Sequence, residues 1–245
     1  MKNPEVIVLK LDCSSVKRGP IHPVVLCDEY DRILVDCGYP GFLPMLERET
    51  AFAGFEFGEF TGVVITHPDD DHYGALYEIK EKYPHIRTMS SEFDAPYVEG
   101  KIPHFRISTG SEKFASFTDE MKEEVLRYRE RLEKIKPIRI DGVLRDGDVR
   151  PWCGGTKIVS TPGHMPGHIS LYVVPMKTLI AGDALISTYG KLRISNPRYA
   201  THPREAERSA ETLLAMDVEK YVCYHGGTVI RYPDGNLRFN PGITE

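Results

Sequence analysis

Cysteine is scarce and unpatterned in this chain: five in 245 residues, at Cys13, Cys27, Cys37, Cys153 and Cys223, with no Cys-x-x-Cys pair. An odd, scattered set excludes a disulfide framework and reads as reduced, packed thiols in a cytoplasmic protein. Basic charge is also in short supply. Against 36 Asp and Glu stand 31 Lys and Arg, a net charge of −5, so there is no electrostatic footprint for nucleic acid as a partner. No apolar run approaches the roughly 20 residues that span a bilayer. No charged-then-apolar leader precedes Val6-Ile7-Val8-Leu9, and neither a membrane partner nor export is expected. What the chain does have is 41% hydrophobic residues, enough to build a single large α/β domain over 1–245.

Short apolar runs predict strands at Val6 to Cys13, Val24 to Cys27, Ile33 to Val35 and Val63 to Ile65, with a helix from Gly41 to Ala53. Leu76, Ile79 and Tyr83 then recur at helical spacing until Pro84 stops the pattern. The second half repeats the style, with strands at Lys157 to Ser160, Ile169 to Val174, Leu179 to Ala181 and Tyr221 to Tyr224, and a helix from Pro203 to about Met216. Two strand-rich halves that each carry helices predict two sheets packed face to face with helices outside.

Residues 93–137 break this rhythm. Phe114, Phe117, Met121, Val125, Tyr128, Leu132 and Ile135 fall at steps of three or four, opposite a charged face. Thr109 and Glu112 resemble a capping box, and Pro137 ends the run. The pattern predicts one long amphipathic helix in an insert. Its aromatic stripe either packs on the domain or forms a lid or dimer element that shapes a substrate pocket.

The densest chemistry lies at 66–72, Thr-His-Pro-Asp-Asp-Asp-His, directly after Val63-Val64-Ile65. If this loop stays extended, His67 and Asp69 share a face and converge on one ion, while Asp71 and His72 reach a second position. A solvated acidic loop is the plainer reading, since burying so many carboxylates uncompensated is costly. Three later strand ends favour the metal. His164 follows Ile158-Val159 through a Pro-Gly turn, Asp183 follows Leu179-Ile180, and His225 follows Val222-Cys223-Tyr224. Clustered His and Asp supply ligands for hard and borderline cations. His168 competes with His164 but opens a strand and reads as a supporting residue. His22, His85, His104 and His202 lack ligand company; for His104 and His202 the alternatives are approach to a pocket and solvent exposure, and exposure is expected.

In order and spacing these clusters resemble the signature of the metallo-β-lactamase fold superfamily, His-x-His-x-Asp-His followed by separate His, Asp and His ligands. Ile33-Leu34-Val35-Asp36-Cys37-Gly38 also resembles the strand and turn before that signature, with Asp36 as a support residue. The resemblance covers nearly the whole chain outside 93–137. It implies a four-layer αββα sandwich with a helical insertion and a two-metal site at the sheets' edges. On that model His67, Asp69 and His164 hold one ion, Asp71, His72 and His225 hold the other, and Asp183 bridges them. Two divalent ions are therefore expected, zinc first, with iron or manganese as the alternatives.

One position departs from the family pattern: Asp69 stands where the second histidine is usual. With a bridging hydroxide, three carboxylates would cancel the charge of two divalent ions, whereas a histidine at 69 would leave one positive charge. A hard oxygen ligand also shifts preference toward iron or manganese. The resemblance implies hydrolysis of a small-molecule ester, thioester, lactone or amide by a metal-bound hydroxide, with Asp71 as candidate proton shuttle. The run Thr161 to His168 and the Gly182-Asp183-Ala184-Leu185 turn resemble both glyoxalase II-like thioesterases and acyl-homoserine lactonases. The lactonases carry a tyrosine three residues after the bridging Asp, where this chain has Ile186. Tyr189, three residues further on, is the substitute oxyanion donor or else a loop aromatic. The alternatives are a non-haem iron oxidoreductase, dioxygenase-like, on the same fold, and a non-catalytic metal-binding protein.

Overall fold

Period-two alternation in the buried strands sorts their side chains onto two faces, and the three layers of core follow from it. The computed structural model describes residues 3–109, 118–195, 199–232 and 234–239, of which 108, 109, 121, 124 and 239 are described by their backbone alone. The first sheet contains β1 (Glu5–Val8), β2 (Val24–Cys27), β3 (Arg32–Val35), β4 (Gly62–Ile65), β5 (Arg87–Ser91) and β6 (Gly142–Leu144), in that spatial order. The second contains β7 (Val149–Arg150), β8 (Thr156–Ser160), β9 (Ile169–Val173), β10 (Thr178–Ile180), β13 (Lys220–Cys223), β14 (Gly227–Arg231) and β15 (Leu237–Phe239). Its order is β15-β14-β13-β10-β9-β8-β7. Between β10 and β13 in sequence, β11 (Leu185–Thr188) and β12 (Lys191–Ile194) form a separate hairpin.

Val24, Leu26, Ile33, Val35 and Val64 of the first sheet meet Ile158, Ile169, Leu171, Ile180 and Val222 of the second in one buried cluster. The alternate residues Val25, Leu34, Val63 and Ile65 face the other way. They pack on Leu43 and Leu46 of α1 (Leu43–Phe52) and on Leu76 and Ile79 of α3 (Leu76–Lys82). On the far side, Leu179, Tyr221 and Val229 cover Ala210 and Leu213 of α7 (Pro203–Ala215). Helix, sheet, sheet and helix make the expected αββα order.

The predicted first strand ends early, at Val8 rather than Cys13. Pro23 lies opposite Leu9 and accepts its N–H at 2.8 Å but has no N–H to return. The chain then pairs only through an isolated bridge, Leu11 to Ile21. Among the described residues the insert contains α4 (Ala95–Val98), α5 (Phe105–Thr109) and α6 (Asp119–Lys134), the last of which carries the Val125, Tyr128 and Leu132 part of the expected amphipathic helix. The Glu112 half of the expected capping box, with Phe114 and Phe117, lies outside the described residues, as does the side chain of Met121. Leu132 of α6 is 3% exposed and belongs to the helix-side core of the first sheet. Among the described residues no helix is long and apolar enough to cross a membrane.

Candidate metal centre

Parallel pairing places the ligand-bearing loops side by side. β3 and β4 run parallel, so Asp36 and the 66–72 loop leave adjacent strand ends. β10 and β13 also run parallel, which sets Asp183 beside His225. The backbone N–H of Ile169 donates to the Thr66 carbonyl at 3.1 Å and ties the two sheets together at this edge.

His67 and Asp69 precede a single helical turn, α2 (Asp70–Tyr73), and Asp69 is extended at φ −79°, ψ 151°. The short turn then carries Asp71 and His72. His164 is set by the Pro-Gly turn after β8, which docks on α7. Ser209 Oγ donates to the Pro162 carbonyl at 2.7 Å, and a Cβ on Gly163 would lie 2.1 Å from the Ala206 nitrogen. Gly163 sits at φ 125°, a conformation that also needs glycine.

All seven expected ligands come together. His67 Nε2 lies 3.3 Å and His164 Nε2 3.1 Å from Asp69 Oδ2. His225 Nε2 lies 3.2 Å from Asp71 Oδ2, and His72 Nε2 3.8 Å from Asp71 Oδ1. Asp183 stands between the two sets with its oxygens divided. Oδ2 is 3.4 Å from His164 Nε2, while Oδ1 is 3.4 Å from both His72 Nε2 and His225 Nε2. Three groups of donor atoms close enough to hold an ion result: His67-Asp69-His164, His67-His72-Asp183 and Asp71-His72-His225.

The donor set fits divalent metal. His67 Nε2, His72 Nε2 and Asp183 Oδ1 are buried and make no hydrogen bond among the described residues, although they converge. Buried polar atoms are rarely left this way unless something else binds them. Burial, then the charge of His72, push the pKa of His67 down to about 4, which keeps its imidazole neutral and its lone pair free. Burial works against charge on His225, but Asp183 and Asp71 push its pKa up to about 10. These two carboxylates thus draw positive charge to His225.

Support residues hold these ligands from behind. Asp36 Oδ2 accepts from His72 Nδ1 at 2.9 Å, and Thr66 donates to both Asp36 oxygens at 2.8 Å. His168 is buried and turned to the same task, as its sequence position suggested. Its Nε2 accepts the Asp183 backbone N–H at 2.9 Å, and its Nδ1 lies 2.7 Å from Thr161 Oγ1. A Cβ on Gly182 would come within 2.7 Å of that imidazole nitrogen. Tyr224 stacks on His72 at 4.0 Å between centroids and donates its hydroxyl to the Asp71 carbonyl at 2.5 Å.

Two sequence expectations are corrected. His104 is buried, not exposed, because Nε2 bonds the Pro68 carbonyl at 2.5 Å and Nδ1 accepts from the Arg106 backbone. Tyr189 is not brought to the cluster. It occupies the tip of the β11–β12 hairpin at φ 50° with its side chain fully exposed, which is the loop-aromatic reading. Sequence reasoning missed the insert's contribution. Arg106 of α5 forks onto Asp69 with Nε to Oδ1 and Nη2 to Oδ2, each at 2.6 Å. From α6, Tyr128 donates to Asp69 Oδ1 at 2.8 Å and Arg131 to Asp70 at 2.6 Å. The signal available was indirect: three consecutive carboxylates that fold inward need cations from elsewhere.

A sandwich of two sheets with His and Asp sets at one edge defines a metal-binding α/β domain. The chain belongs to the metallo-beta-lactamase superfamily, whose profile matches residues 16–225. It is 30% identical over 232 residues to the probable metallo-hydrolase YflN of Bacillus subtilis (strain 168), covering 87% of this chain and 80% of that relative. Among solved structures it resembles a metallo-beta-lactamase family protein of Thermus thermophilus at 20% identity and a TM-score of 0.69, covering 91% of this chain and 74% of that one. An archaeal superfamily protein of Sulfolobus tokodaii matches at 18% identity and a TM-score of 0.62, over 94% and 82%. At these identities the structural likeness speaks for the fold.

Proposed function

We propose that this protein is a metal-dependent hydrolase that cleaves an ester, thioester, lactone or amide of a small molecule on a two-ion centre. The observation that carries the reading is Asp183, whose two oxygens face separate ligand sets at 3.4 Å, as a carboxylate shared by two cations requires. The name of the Bacillus subtilis relative, a probable metallo-hydrolase, points the same way. His67, Asp69 and His164 would hold one ion, and Asp71, His72 and His225 the other, with zinc preferred over iron or manganese. When bound, such a pair supplies Lewis acidity and lowers the pKa of a water toward neutrality.

The chain's own residues orient and move protons around that pair. Asp36 and His168 fix the ring orientation of His72 and the backbone position of Asp183. Asp71 is the carboxylate assigned to the proton relay. Burial works against its charge, but His72 and His225 hold its pKa below the usual carboxylate value, so it relays weakly. The insert reaches the ligand loop through Arg106, Tyr128 and Arg131, which bond Asp69 and Asp70, and this contact is what supports the lid reading. A cavity of about 300 Å³ between the insert and Tyr73, lined by Tyr97, His104, Ile107 and Leu132, includes none of the seven candidate ligands.

A second reading rests on one feature: each of the three candidate groups is two histidines and one carboxylate. That set also suits non-haem iron, so an iron oxidoreductase remains the rival. Metal analysis of natively produced protein, followed by assay on aryl esters, thioesters and lactones, separates the two. Zinc with chelator-sensitive hydrolysis supports the proposal. Iron, with oxygen consumed in the presence of a thiol or persulfide and no acyl substrate turned over, overturns it.

A further inference from the structure

Asp69 carries a negative charge into the first ligand set, and the residues that meet it come from the insert. Arg106 grips both carboxylate oxygens at 2.6 Å, the bidentate geometry in which guanidinium binds carboxylate best. Its Nη1 donates to the Tyr199 carbonyl at 2.7 Å, so the fork is held from behind as well. Tyr128 adds a second donor to Oδ1 at 2.8 Å. Oδ1 therefore receives Arg106 Nε and Tyr128 Oη, while Oδ2 accepts only Arg106 Nη2 from the insert and is the oxygen that faces His67 Nε2 and His164 Nε2. Arg106 Nη2 also lies 3.1 Å from His164 Nε2, at the rim of the same set.

We propose that Arg106 and Tyr128 are positioning residues of the metal centre, which makes the helical insert part of it. They turn Asp69 so that Oδ2 serves as the single metal-facing oxygen. Arg106 also returns the positive charge that an aspartate, in place of a neutral histidine, removes from the site. Binding at the first position and docking of α5 and α6 are then linked, and linkage is reciprocal: the insert tightens the ion and the ion tightens the insert. This inference rests on the metal-centre reading and is independent of which bond the protein cleaves.

The test compares wild type with Arg106→Gln, Arg106→Lys, Tyr128→Phe, Asp69→His and the Asp69→His/Arg106→Gln double variant. Zinc alone and manganese alone are titrated against a chromophoric chelator, with circular dichroism as the check on folding. Hydrogen exchange of α5 and α6 is followed with and without saturating zinc. Arg106→Gln is expected to weaken one of two ions by about 10–100-fold, the usual effect of losing a ligand's support, and to spare the ion held by Asp71, His72 and His225. Tyr128→Phe costs less, and Arg106→Lys, which keeps the charge without the fork, recovers part of the loss. Zinc slows exchange in both helices of the wild type but not of Arg106→Gln. In the Asp69→His background, removing Arg106 improves affinity, because a buried guanidinium has lost its carboxylate. Unchanged affinity for both ions in Arg106→Gln overturns the inference, as does an equal loss with and without Asp69→His. A wild-type chain that binds neither metal overturns the centre itself, and this inference with it.

Discussion

Asp36 and His72 are joined by a 2.9 Å hydrogen bond from Nδ1 to Oδ2, so the imidazole proton lies on the support side and Nε2 faces Asp71 and Asp183. Asp36 is buried and sits at φ 60° where β3 ends, an unusual conformation for a residue with a side chain. Thr66 keeps it there with two hydrogen bonds across to β4.

Asp36→Asn follows directly as a test. The amide is neutral and cannot accept from His72 and Thr66 through both of its heavy atoms. Affinity for the ion held by Asp71, His72 and His225 is expected to fall about 10–100-fold, with the far-ultraviolet dichroism unchanged. Chelator competition reads the loss, and equal weakening of both ions would show that Asp36 supports the fold rather than His72.

Asp183 faces both candidate ligand sets through opposite oxygens, so on the proposed two-ion centre its removal is expected to spare neither ion. Dialysed wild-type protein is expected to retain two ions, as two-metal sites do, and Asp183→Ala to fall below one. Elemental analysis after dialysis without chelator decides the matter. A variant that keeps one full equivalent would mean that Asp183 belongs to one ion alone.

The candidate ligands were legible in the sequence because each stands shortly after an apolar strand, and strand ends are where the loops of the two sheets gather. Val63-Val64-Ile65 before His67 and Val222-Cys223 before His225 gave both the strand and the ligand together. The layer order was legible from two strand-rich halves that each carry helices, whereas the face taken by each of Val24, Val25 and Leu26 was not, because all three are apolar. Arg106 and Tyr128 were hidden because their partner Asp69 is 37 and 59 residues away, and no local pattern encodes that pairing. Tyr128 sits on the apolar stripe of α6 and reads as core, although its hydroxyl serves the carboxylate. β7, of two residues, and the β11–β12 hairpin are too short and too polar for periodicity to detect.

Leu132 is the anchor through which α6 meets the main core, and it lies one turn beyond Tyr128. Leu132→Ala removes a buried side chain and leaves a void, at a typical cost of about 2–5 kcal/mol. The loss is expected to be local first, seen as faster hydrogen exchange across α6 at temperatures where β4 and β13 stay protected. Uniform acceleration over the whole chain would instead make the insert and the sandwich one cooperative unit.

Asp94 supplies a pH-dependent prediction. Both of its carboxyl oxygens are buried without a hydrogen-bond partner among the described residues, and a Cβ on Gly167 would lie 2.3 Å from Oδ1 and 2.7 Å from Oδ2. Burial, then the nearby charge of Asp69, push its pKa up from 3.8 to about 8. An unfolded chain releases this proton near the ordinary value, whereas the folded chain keeps it until about pH 8. The folded state therefore holds the extra proton throughout that window, and stability falls as pH rises from about 4 to about 8, then levels off. Asp94→Asn keeps the shape and removes the titration. Its gain over wild type is expected to be small near pH 4 and to grow to a few kcal/mol near pH 8, the order that linkage gives for a shift of this size. Urea unfolding of both proteins at the two pH values, at matched metal content, measures it. A gain that is the same at both would mean that Asp94 is charged in the folded protein and has found a partner.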